Sequence, residues 1–325
     1  MKEYPIAIIG AGAAGQMAAL RSVLNNIETL WFLGDGQSSR RSRATWVESV
    51  DNIPGMFDKK RPINSTTKEV IKFIESEENL SPLIKAVKGS VTKIEKKENH
   101  FILSCKDETY HAQHVVLCTG TMDVQPLING EIDPVFPYAN RGDILYCIRC
   151  DGHKVMGKAV SVIGHSDSAA WVSVLLKERY DLPEVYLLTN GKTIEASEEV
   201  HQLMQNYQIK IYEEPILSIL GDPKKEMEGF ELNSGEKILT PKAFAVLGSI
   251  VYNDLVKPLG VAVDERDHLI TNKHFETSVP GLYAAGDLVS GKKKQVYTAW
   301  DMAVDAVDNI DLKLRREKRK QMKGK

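Results

Sequence analysis

The sequence lacks three features that would each define a class of protein. It has no apolar run approaching the length of a membrane span. It also has no strong charge of one sign, since a net charge of -2 gives no general attraction to nucleic acid or to an anionic membrane. With 42% hydrophobic and 26% charged residues, the composition is typical of a globular protein, and 325 residues are enough for two domains. We therefore expect neither nucleic acid nor membrane as a partner.

Cysteine is also scarce, with four in the chain, so a disulfide scaffold is excluded. Cys147 and Cys150 lie three residues apart, and a lone C-x-x-C pair in a reducing compartment is more often catalytic than structural. No apolar signal-peptide region follows Met1, so we expect a cytoplasmic protein. Cys105 and Cys118 fall in apparent strands, where we expect them to pack.

The C-x-x-C pair is followed directly by Asp151. Two cysteines at this spacing can form a reversible disulfide, and an adjacent carboxylate can accept or donate the proton of the exchange. We therefore predict a redox site of Cys147, Cys150 and Asp151. The alternative is a zinc site that adds His153, which lacks a fourth ligand in the nearby sequence.

A glycine-rich turn lies near the start of the chain. An apolar strand over 5–9 is followed by Gly10, Gly12 and Gly15 and by an Ala-rich helix. In a G-x-G-x-x-G turn, the first glycine makes the tight turn, the second lets a pyrophosphate approach backbone N–H groups, and the third lets helix and strand pack closely. A second strand leads to Asp35, where a carboxylate can accept ribose hydroxyls. This order predicts a dinucleotide-binding domain.

Further strands with small or polar residues at their ends extend the pattern. One ends at Thr119 and Gly120, another at the glycine turn of Gly164, and a third at Gly286 and Asp287. Dinucleotide-fold signals therefore begin twice and resume near the C-terminus. We predict an α/β fold of two Rossmann-like, three-layer dinucleotide-binding domains, the second inserted into the first. The predicted boundaries are 1–113 with 248–325 for the first domain, and 114–247 for the second.

Two other regions give weaker expectations. A small β-meander is predicted over 83–88, 90–96, 100–105 and 108–111. The clustered Arg40, Arg41 and Arg43 either contact phosphate or belong to a solvated loop.

The C-terminal helix is expected to run to about Ile310. The tail from Leu312 holds eight Lys or Arg residues and one acid. We expect a solvated, frayed terminus, and the alternative is an electrostatic hook for an acidic protein partner.

Taken in order, these motifs resemble those of the low-molecular-weight thioredoxin reductases, a family of FAD-dependent flavoproteins. The resemblance covers nearly the whole chain and implies that residues 1–113 and 248–325 bind FAD, that 114–247 form a pyridine-nucleotide-like domain carrying the cysteine pair, and that the protein is a homodimer. The matching pieces are Gly10-x-Gly12-x-x-Gly15, Asp51-Asn52-Ile53-Pro54-Gly55, Thr119-Gly120, Cys147-x-x-Cys150-Asp151-Gly152, the Gly164 turn, Gly281 to Asp287, and Lys294-Gln295.

The resemblance also implies cofactor-binding positions. Asn52 would lie near the flavin ribityl chain, Asp287 would bind the ribityl or pyrophosphate part, and a helix starting over 294–296 would point its positive end at the flavin pyrimidine. Trp300, one turn further, either packs beside the isoalloxazine or belongs to the core. The implied set is Gly10, Gly12, Ala13, Ala14, Gly15, Asp35, Gln37, Asn52, Val91, Thr119, Gly120, Gly286, Asp287, Lys294, Gln295 and Val296.

The mechanism implied by the resemblance assigns one role to each residue of the redox site. Cys150 would face the flavin and receive electrons, Cys147 would attack the disulfide of a thioredoxin-like protein, and Asp151 would be the acid/base of the exchange. A helix N-terminus or a cation should favour the thiolate, and Arg149 is a candidate cation.

The chain departs from the family pattern at its second glycine turn. Ser166 stands where the pattern has glycine, which adds a Cβ where a pyrophosphate should meet bare backbone. Trp171 and Val172 replace the usual acidic residues, and the stretch 187–192 offers only Lys192 to a 2′-phosphate. The sequence therefore predicts a poor site for NADPH.

Two hypotheses for the electron donor follow. In the one we favour, a reduced ferredoxin or a second flavin supplies the electrons, and the basic tail with Lys292 to Lys294 meets an acidic donor. In the other, NADP(H) or NAD(H) still binds through altered contacts, with Lys192 in part replacing arginine. A ferredoxin-NADP reductase-like flavoenzyme and a non-catalytic FAD-binding scaffold are alternatives outside disulfide chemistry, and the retained cysteines count against the first of these.

Overall fold

The computed structural model describes residues 2–35, 42–43 and 47–323. The chain divides into two compact units, and each is described by itself. Unit 1 comprises Met1–Trp46, Arg61–Met122 and Val251–Lys325, and unit 2 comprises Val47–Lys60 and Asp123–Ile250. Within the described residues, no helix is both long enough and apolar enough to cross a membrane.

The described helices and strands follow one another in the order typical of α/β folds. The helices are α1 (Ala13–Leu24), α2 (Pro62–Ser76), α3 (Phe136–Arg141), α4 (Ile148–Asp151), α5 (Asp167–Tyr180), α6 (Glu198–Asn206) and α7 (Val296–Lys323). The strands are β1 (Glu3–Ile9), β2 (Thr29–Phe32), β3 (Ile84–Val87), β4 (Val91–Lys96), β5 (Phe101–Cys105), β6 (Glu108–Leu117), β7 (Thr121–Asp123), β8 (Ile144–Leu145), β9 (Val160–Ile163), β10 (Val185–Leu188), β11 (Lys210–Tyr212), β12 (Ile216–Asp222), β13 (Glu226–Leu232), β14 (Lys237–Leu239), β15 (Lys242–Ala245), β16 (Ser249–Val251) and β17 (Leu282–Ala284).

Unit 1 is built on a seven-stranded sheet in the order β3-β2-β1-β6-β5-β4, with β17 also pairing with β6. Strands β1, β2, β3, β6 and β17 pair in parallel, whereas β4, β5 and the first half of β6 form an antiparallel meander. The predicted meander is thus confirmed for its last three segments and wrong for 83–88, because β3 pairs in parallel with β2. Its apolar residues complete the parallel part of the sheet.

Strand β6 is longer than expected. The sequence suggested separate strands over 108–111 and from His114, but β6 runs without a break because its apolar residues continue through Ala112 into Val115. The predicted boundary between residues 113 and 114 therefore falls inside one strand. As a division into functional domains, the predicted boundaries stay a prediction.

Helix α7 also exceeds its predicted length. It continues well past Ile310 to Lys323, so the first part of the basic tail is helical and not frayed. Two residues beyond Ile310 stabilise this extension. Leu314 packs against the core of unit 1, and the Lys313 ammonium donates a 2.6 Å hydrogen bond to Glu276.

Unit 2 contains the second Rossmann-like sheet, a parallel sheet in the order β11-β10-β9-β15-β8. Its strands are almost fully apolar, as expected for a parallel sheet covered on both faces. Helices α5 and α6 pack with it, and β12, β13 and β14 form a separate antiparallel sheet. Because unit 2 is inserted between the segments of unit 1, the predicted fold of two Rossmann-like domains, one inserted in the other, is confirmed.

Candidate active site

The cysteine pair lies in unit 2, directly after the short strand β8. Cys147 is the residue before α4, and its carbonyl accepts hydrogen bonds from the N–H groups of Cys150 at 3.1 Å and Asp151 at 2.9 Å. This single turn brings the two Cα atoms to 5.3 Å, and the side chains form a Cys147–Cys150 disulfide. The predicted reversible pair is therefore present as a bond.

Asp151 has a cationic partner in Lys154, one turn further along the chain. The Lys154 ammonium lies 2.7 Å from Asp151 Oδ1 and 2.9 Å from Asp51 Oδ2, and it contacts Ser49 Oγ at 3.4 Å. Although burial lowers the pKa of Lys154, its hydrogen bonds to the two carboxylates raise it overall. One ammonium thus joins Asp151 to a second carboxylate from the segment Val47–Lys60.

Asp51 completes this cluster. Burial raises the pKa of its carboxyl group, but the hydrogen bonds from Lys154 and Ser49 and the charges of Lys154 and His153 together outweigh that effect, so the pKa of Asp51 is lowered overall. The predicted cation for this site, Arg149, has an exposed side chain, and the residue in contact with Asp151 is Lys154. The sequence offered no signal for Lys154, since nothing in the pattern brings residue 51 beside residue 154.

His153 does not join the cysteines in a metal site. Its Nε2 lies 3.5 Å from Asp51 Oδ2, and the two cysteine sulfurs are bonded to each other. Across the described ranges, no group of three or more His, Cys, Asp or Glu side chains is arranged to hold a metal ion.

The first glycine turn, in unit 1, has the features that a pyrophosphate site requires. A Cβ on Gly10, whose φ is +117°, would lie 2.3 Å from the Cys118 carbonyl oxygen, and one on Gly15 would lie 1.9 Å from the Gly10 oxygen. A Cβ on Gly12, by contrast, would meet no atom within 4 Å from the described ranges beyond its chain neighbours. Gly10 and Gly15 are thus required by packing, whereas Gly12 borders open space at the start of α1.

The start of α1 is suited to an anion. Its first turn holds no acidic residue, and no side-chain hydrogen bond caps it. The buried Gln16 Nε2 has no hydrogen-bond partner within the part of the chain that the structure describes, although its Oε1 accepts a 3.2 Å bond from Thr67. The N–H groups at the helix end and the amide of Gln16 therefore fit a bound dinucleotide such as FAD.

Three predicted segments meet around this turn in unit 1. Thr119 and Gly120 follow β6, and the Thr119 hydroxyl donates to the Tyr252 carbonyl at 2.5 Å. Gly286, with φ of +98°, lies so close to α1 that a Cβ would be 3.2 Å from the Ala14 Cβ. This contact places Asp287 next to the glycine turn, where its Oδ2 lies 3.6 Å from Arg43 Nη1.

The start of α7 holds the next group of predicted residues. The helix begins at Val296, so Lys294 and Gln295 precede it and the predicted start is shifted by two residues. The Lys294 ammonium donates to the Val289 carbonyl at 2.6 Å, and burial lowers the pKa of this lysine. The buried Trp300 Nε1 finds no acceptor among the described residues, which fits a ligand in contact with this helix end.

Four remaining predicted positions are less informative. Asp35 is exposed after β2, Val91 is buried at the start of β4, and Asn52 lies in the Val47–Lys60 segment of unit 2. Gln37 lies outside the described residues, as do two arginines of the predicted cluster, Arg40 and Arg41.

The second glycine turn, in unit 2, is hydrogen-bonded to the loop that precedes α6. The Glu195 N–H donates to the His165 carbonyl at 2.7 Å, and Glu195 forms a parallel bridge with Ser166. Asp167 Oδ1 accepts bonds from both the N–H and the hydroxyl of Ser197 at 2.8 Å. Gly164 itself is required by packing, because a Cβ there would lie 2.5 Å from the Val246 oxygen. The glycine in this turn thus needs no ligand to explain it.

Comparison with known proteins agrees with this geometry. The thioredoxin reductase of Ureaplasma parvum serovar 3 is 28% identical over 313 residues, which cover 93% of this chain and 94% of the relative. The thioredoxin reductase of Treponema pallidum is 26% identical over 307 residues, covering 91% and 92%. The crystal structure of thioredoxin reductase from Streptococcus pyogenes shares the fold, with a TM-score of 0.82, 22% identity and coverage of 97% and 99%.

A family model described as pyridine nucleotide-disulphide oxidoreductase matches residues 4–303, which is most of the chain. The matched range contains both glycine turns and the cysteine pair. The chain therefore belongs to the pyridine nucleotide-disulphide oxidoreductase family, as a thioredoxin reductase-like flavin oxidoreductase.

Proposed function

We propose that this protein is an FAD-dependent disulfide oxidoreductase in which electrons pass from the flavin to Cys147 and Cys150 and then to a thioredoxin-like disulfide, with a donor other than NADPH. The observation that carries the proposal is the Cys147–Cys150 disulfide, followed at once by the ion-paired Asp151. Bound FAD would supply two-electron transfer to this disulfide.

The FAD would be held by unit 1. The N–H groups at the start of α1, open at Gly12, would bind the pyrophosphate, and Asp287 would hold the ribityl or pyrophosphate part. The positive end of α7 at Val296, together with the buried Trp300 Nε1, would bind polar flavin atoms. Asn52 and Asp35 are proposed as further contacts from the family pattern.

The exchange itself needs only this chain's thiols and the partner's disulfide. After two electrons and two protons have reduced the Cys147–Cys150 bond, the Cys147 thiolate attacks one sulfur of the partner's disulfide and expels the other as a thiolate. The Cys150 thiolate then attacks Cys147 in the mixed disulfide. This step re-forms the Cys147–Cys150 bond and releases the partner as a dithiol once both sulfurs are protonated.

Asp151 is proposed as the group that moves these protons. It directly follows Cys150, and a carboxylate can take the proton from a thiol before attack and return it to a departing thiolate. The Lys154 ammonium, 2.7 Å from Asp151 Oδ1, holds this carboxylate in place beside the cysteine pair.

The electron donor is proposed from the second glycine turn. Ser166 takes the place at which bare backbone would face a pyrophosphate, and the bridge from Glu195 covers this stretch. The bonds that Asp167 accepts from Ser197 tie the same loop to the start of α5. A pyridine nucleotide would have to displace these contacts before its phosphates reached the backbone.

The acidic residues around the second glycine turn also disfavour the negatively charged NADPH. Asp167 lies in the first turn of α5, Glu195 is bridged to the turn, and Glu198 and Glu199 begin α6. A 2′-phosphate and a pyrophosphate would therefore approach carboxylates, with Lys192 as the cation that the loop after β10 supplies. This distribution supports an electron donor that does not bind through phosphate groups.

A reduced ferredoxin or a reduced flavin protein is the donor we propose. The exposed cations at the end of α7, which include Arg316, Lys318, Arg319 and Lys320, fit an acidic protein of this kind. From the family resemblance we also propose a homodimer, and from the reversible cysteine pair a reducing compartment such as the cytoplasm.

The test is anaerobic mixing of the FAD-loaded protein with NADPH, with NADH and with reduced ferredoxin, each in a separate experiment. We expect slow or absent loss of oxidised-flavin absorbance with either nucleotide and rapid loss with ferredoxin. Oxidised thioredoxin is then added, and its new thiols are counted by alkylation and mass spectrometry. Rapid bleaching by micromolar NADPH would overturn the proposed donor.

The Cys150→Ser variant is the control for the disulfide mechanism. Its flavin should still be reduced by the donor, but no thioredoxin should be released as a dithiol. If the variant reduced thioredoxin as fast as the wild-type protein, the proposed disulfide relay would be wrong.

A further inference from the structure

We propose that Lys154 is a positioning residue for the thiol–disulfide exchange, holding the Asp151 carboxylate in place directly after Cys150 by bridging it to Asp51. This inference rests on the proposed function, because it assigns a partner to the proposed acid/base. It concerns a residue that the cysteine motif does not include.

The geometry gives Lys154 two anchors. Its ammonium lies 2.7 Å from Asp151 Oδ1 and 2.9 Å from Asp51 Oδ2, and Ser49 Oγ lies at 3.4 Å. An ammonium with three donors can serve two carboxylates and a hydroxyl at once. Asp151 is therefore held to a second segment of unit 2 and not only to its own helical turn.

The surroundings make the contact stronger than an ordinary surface ion pair. The side chains of Lys154, Asp51 and Asp151 are 27%, 26% and 21% exposed, so water screens them only in part. Asp51 and Asp151 share the single ammonium of Lys154. Removing this ammonium would leave both carboxylates without their lysine partner.

The neighbouring elements add few other charges to this cluster. On the 3₁₀ turn that follows α4, His153 Nε2 lies 3.5 Å from Asp51 Oδ2 and the Lys158 ammonium binds the Lys154 carbonyl at 3.1 Å. From α5, the Tyr180 hydroxyl reaches the backbone at Gly152. Of these groups, Lys154 is the cation in contact with Asp151.

The consequence is a prediction about the exchange rate. With Lys154 in place, the Asp151 carboxylate is held directly after Cys150, where it can exchange a proton with a thiol. Without the ammonium, the carboxylate loses this anchor, so proton transfer slows. We expect Lys154→Met to lower the exchange rate by about tenfold. Lys154→Arg, which keeps the charge and the hydrogen-bond donors, should restore most of the wild-type rate.

The experiment measures the exchange step alone. FAD-loaded protein is reduced with dithiothreitol, freed of it anaerobically, and mixed with oxidised thioredoxin in a stopped-flow instrument at about pH 7.5. Lys158→Met is the matched control, because it removes an exposed lysine one turn away whose ammonium binds the Lys154 carbonyl. Lys154→Gln is a second variant in case the Met variant unfolds, and thermal unfolding checks each protein.

The outcomes separate this inference from the function on which it rests. An exchange rate about tenfold lower in Lys154→Met or Lys154→Gln, with Lys154→Arg and Lys158→Met close to wild type, supports the inference. Equal exchange rates for wild type and both uncharged variants would overturn it and leave the proposed function intact. A wild-type protein that transfers no electrons to any disulfide would overturn the proposed function itself.

Discussion

The Tyr180 hydroxyl occupies the space in which a side chain at Gly152 would begin. A Cβ on Gly152 would lie 2.1 Å from the Tyr180 oxygen and 2.7 Å from the ring carbon that carries it. Gly152 follows α4, and Tyr180 is the last residue of α5. The turn that carries the cysteine pair thus contacts the end of α5 at this position.

Gly152→Ala should therefore destabilise the protein through crowding alone. Gly152 has φ of -56° and ψ of -33°, which alanine adopts freely, so no backbone strain is involved. We expect a loss of about 1–3 kcal/mol in the free energy of unfolding, as for other overpacked sites. Urea titration of the FAD-loaded protein measures it.

A double-mutant cycle tests the cause of that loss. Tyr180→Ser removes the ring and should make Gly152→Ala nearly neutral, because the added methyl group would then have space. If Gly152→Ala costs as much in the Tyr180→Ser background as in the wild type, the contact is not the reason for the glycine.

The two cysteines should behave differently when replaced one at a time. Cys150→Ser leaves the Cys147 thiol to attack the partner's disulfide but removes the thiol that releases the product, so a stable mixed disulfide with thioredoxin should accumulate. Cys147→Ser should give little of this species. Intact-protein mass spectrometry after non-reducing quenching counts it. Accumulation with Cys147→Ser instead would reverse the proposed roles.

Much of this site follows from local sequence. The strand, glycine turn and helix around Gly10 could be predicted because the packing that requires Gly10 and Gly15 involves neighbours in one βα unit. The Cys147–Cys150 disulfide could be predicted because a three-residue spacing is closed by a single turn. In each case the interacting groups are near one another in the chain.

The parts that could not be predicted depend on distant pairing. Asp51 meets Lys154 across about a hundred residues, and no periodicity records that contact. Strand β3 pairs in parallel with β2 at the edge of the sheet. Its own sequence pattern resembles that of the antiparallel strands that follow, so the pattern alone gave the wrong pairing. Helix α7 continues past its predicted end at Ile310, where Lys313 binds Glu276. Glu276 is distant in the sequence, so the helix pattern does not show this contact.

Gly12 offers a test of FAD binding that is separate from folding. Among the described residues other than its chain neighbours, none has an atom within 4 Å of a Cβ at this position, so Gly12→Val should fold. Its side chain would occupy the space proposed for the pyrophosphate, so we expect FAD affinity to fall by about tenfold or more. The ratio of flavin to protein absorbance and the thermal unfolding of the apoprotein are measured together.

Gly10→Ala is the contrasting variant, since its Cβ would lie 2.3 Å from the Cys118 oxygen and folding itself should suffer. Full FAD affinity in Gly12→Val would contradict the proposed cradle.

Acid should destabilise unit 1 through His114. Burial, with help from the positive charges of Lys313 and Lys96, lowers the pKa of His114 to about 4, whereas an unfolded histidine has a pKa of about 6.5. The stabilisation is complete above about pH 6.5 and is lost as the pH falls towards 4, by at most roughly 3 kcal/mol.

Urea unfolding at about pH 7.5 and about pH 5 measures this loss. His114→Leu should reduce the difference between the two pH values, and His274→Gln, at an exposed position, should leave it unchanged. An equal pH dependence in wild type and His114→Leu would exclude His114 as its source.

The second glycine turn should regain phosphate affinity when its obstacles are removed. Ser166→Gly takes away the Cβ at the position where the family pattern has glycine, and Glu195→Arg replaces an acidic residue whose backbone bridges that turn with a guanidinium that can bind a phosphate in bidentate fashion. The main-chain bond from Glu195 to His165 is retained by any residue at position 195. We therefore expect the double variant to bind 2′,5′-ADP at least about tenfold more tightly than the wild-type protein, measured by calorimetry.

The choice of 2′,5′-ADP makes the charge argument specific. The gain for 5′-AMP, which lacks the 2′-phosphate, should be smaller, and Ser166→Gly with Glu195→Gln should show only the part due to space and lost repulsion. An unchanged Kd for 2′,5′-ADP in the arginine variant would mean that Ser166 and Glu195 are not the groups that disfavour the nucleotide. The weakness of the site would then have to lie in the loop bonds around Asp167, which both variants keep.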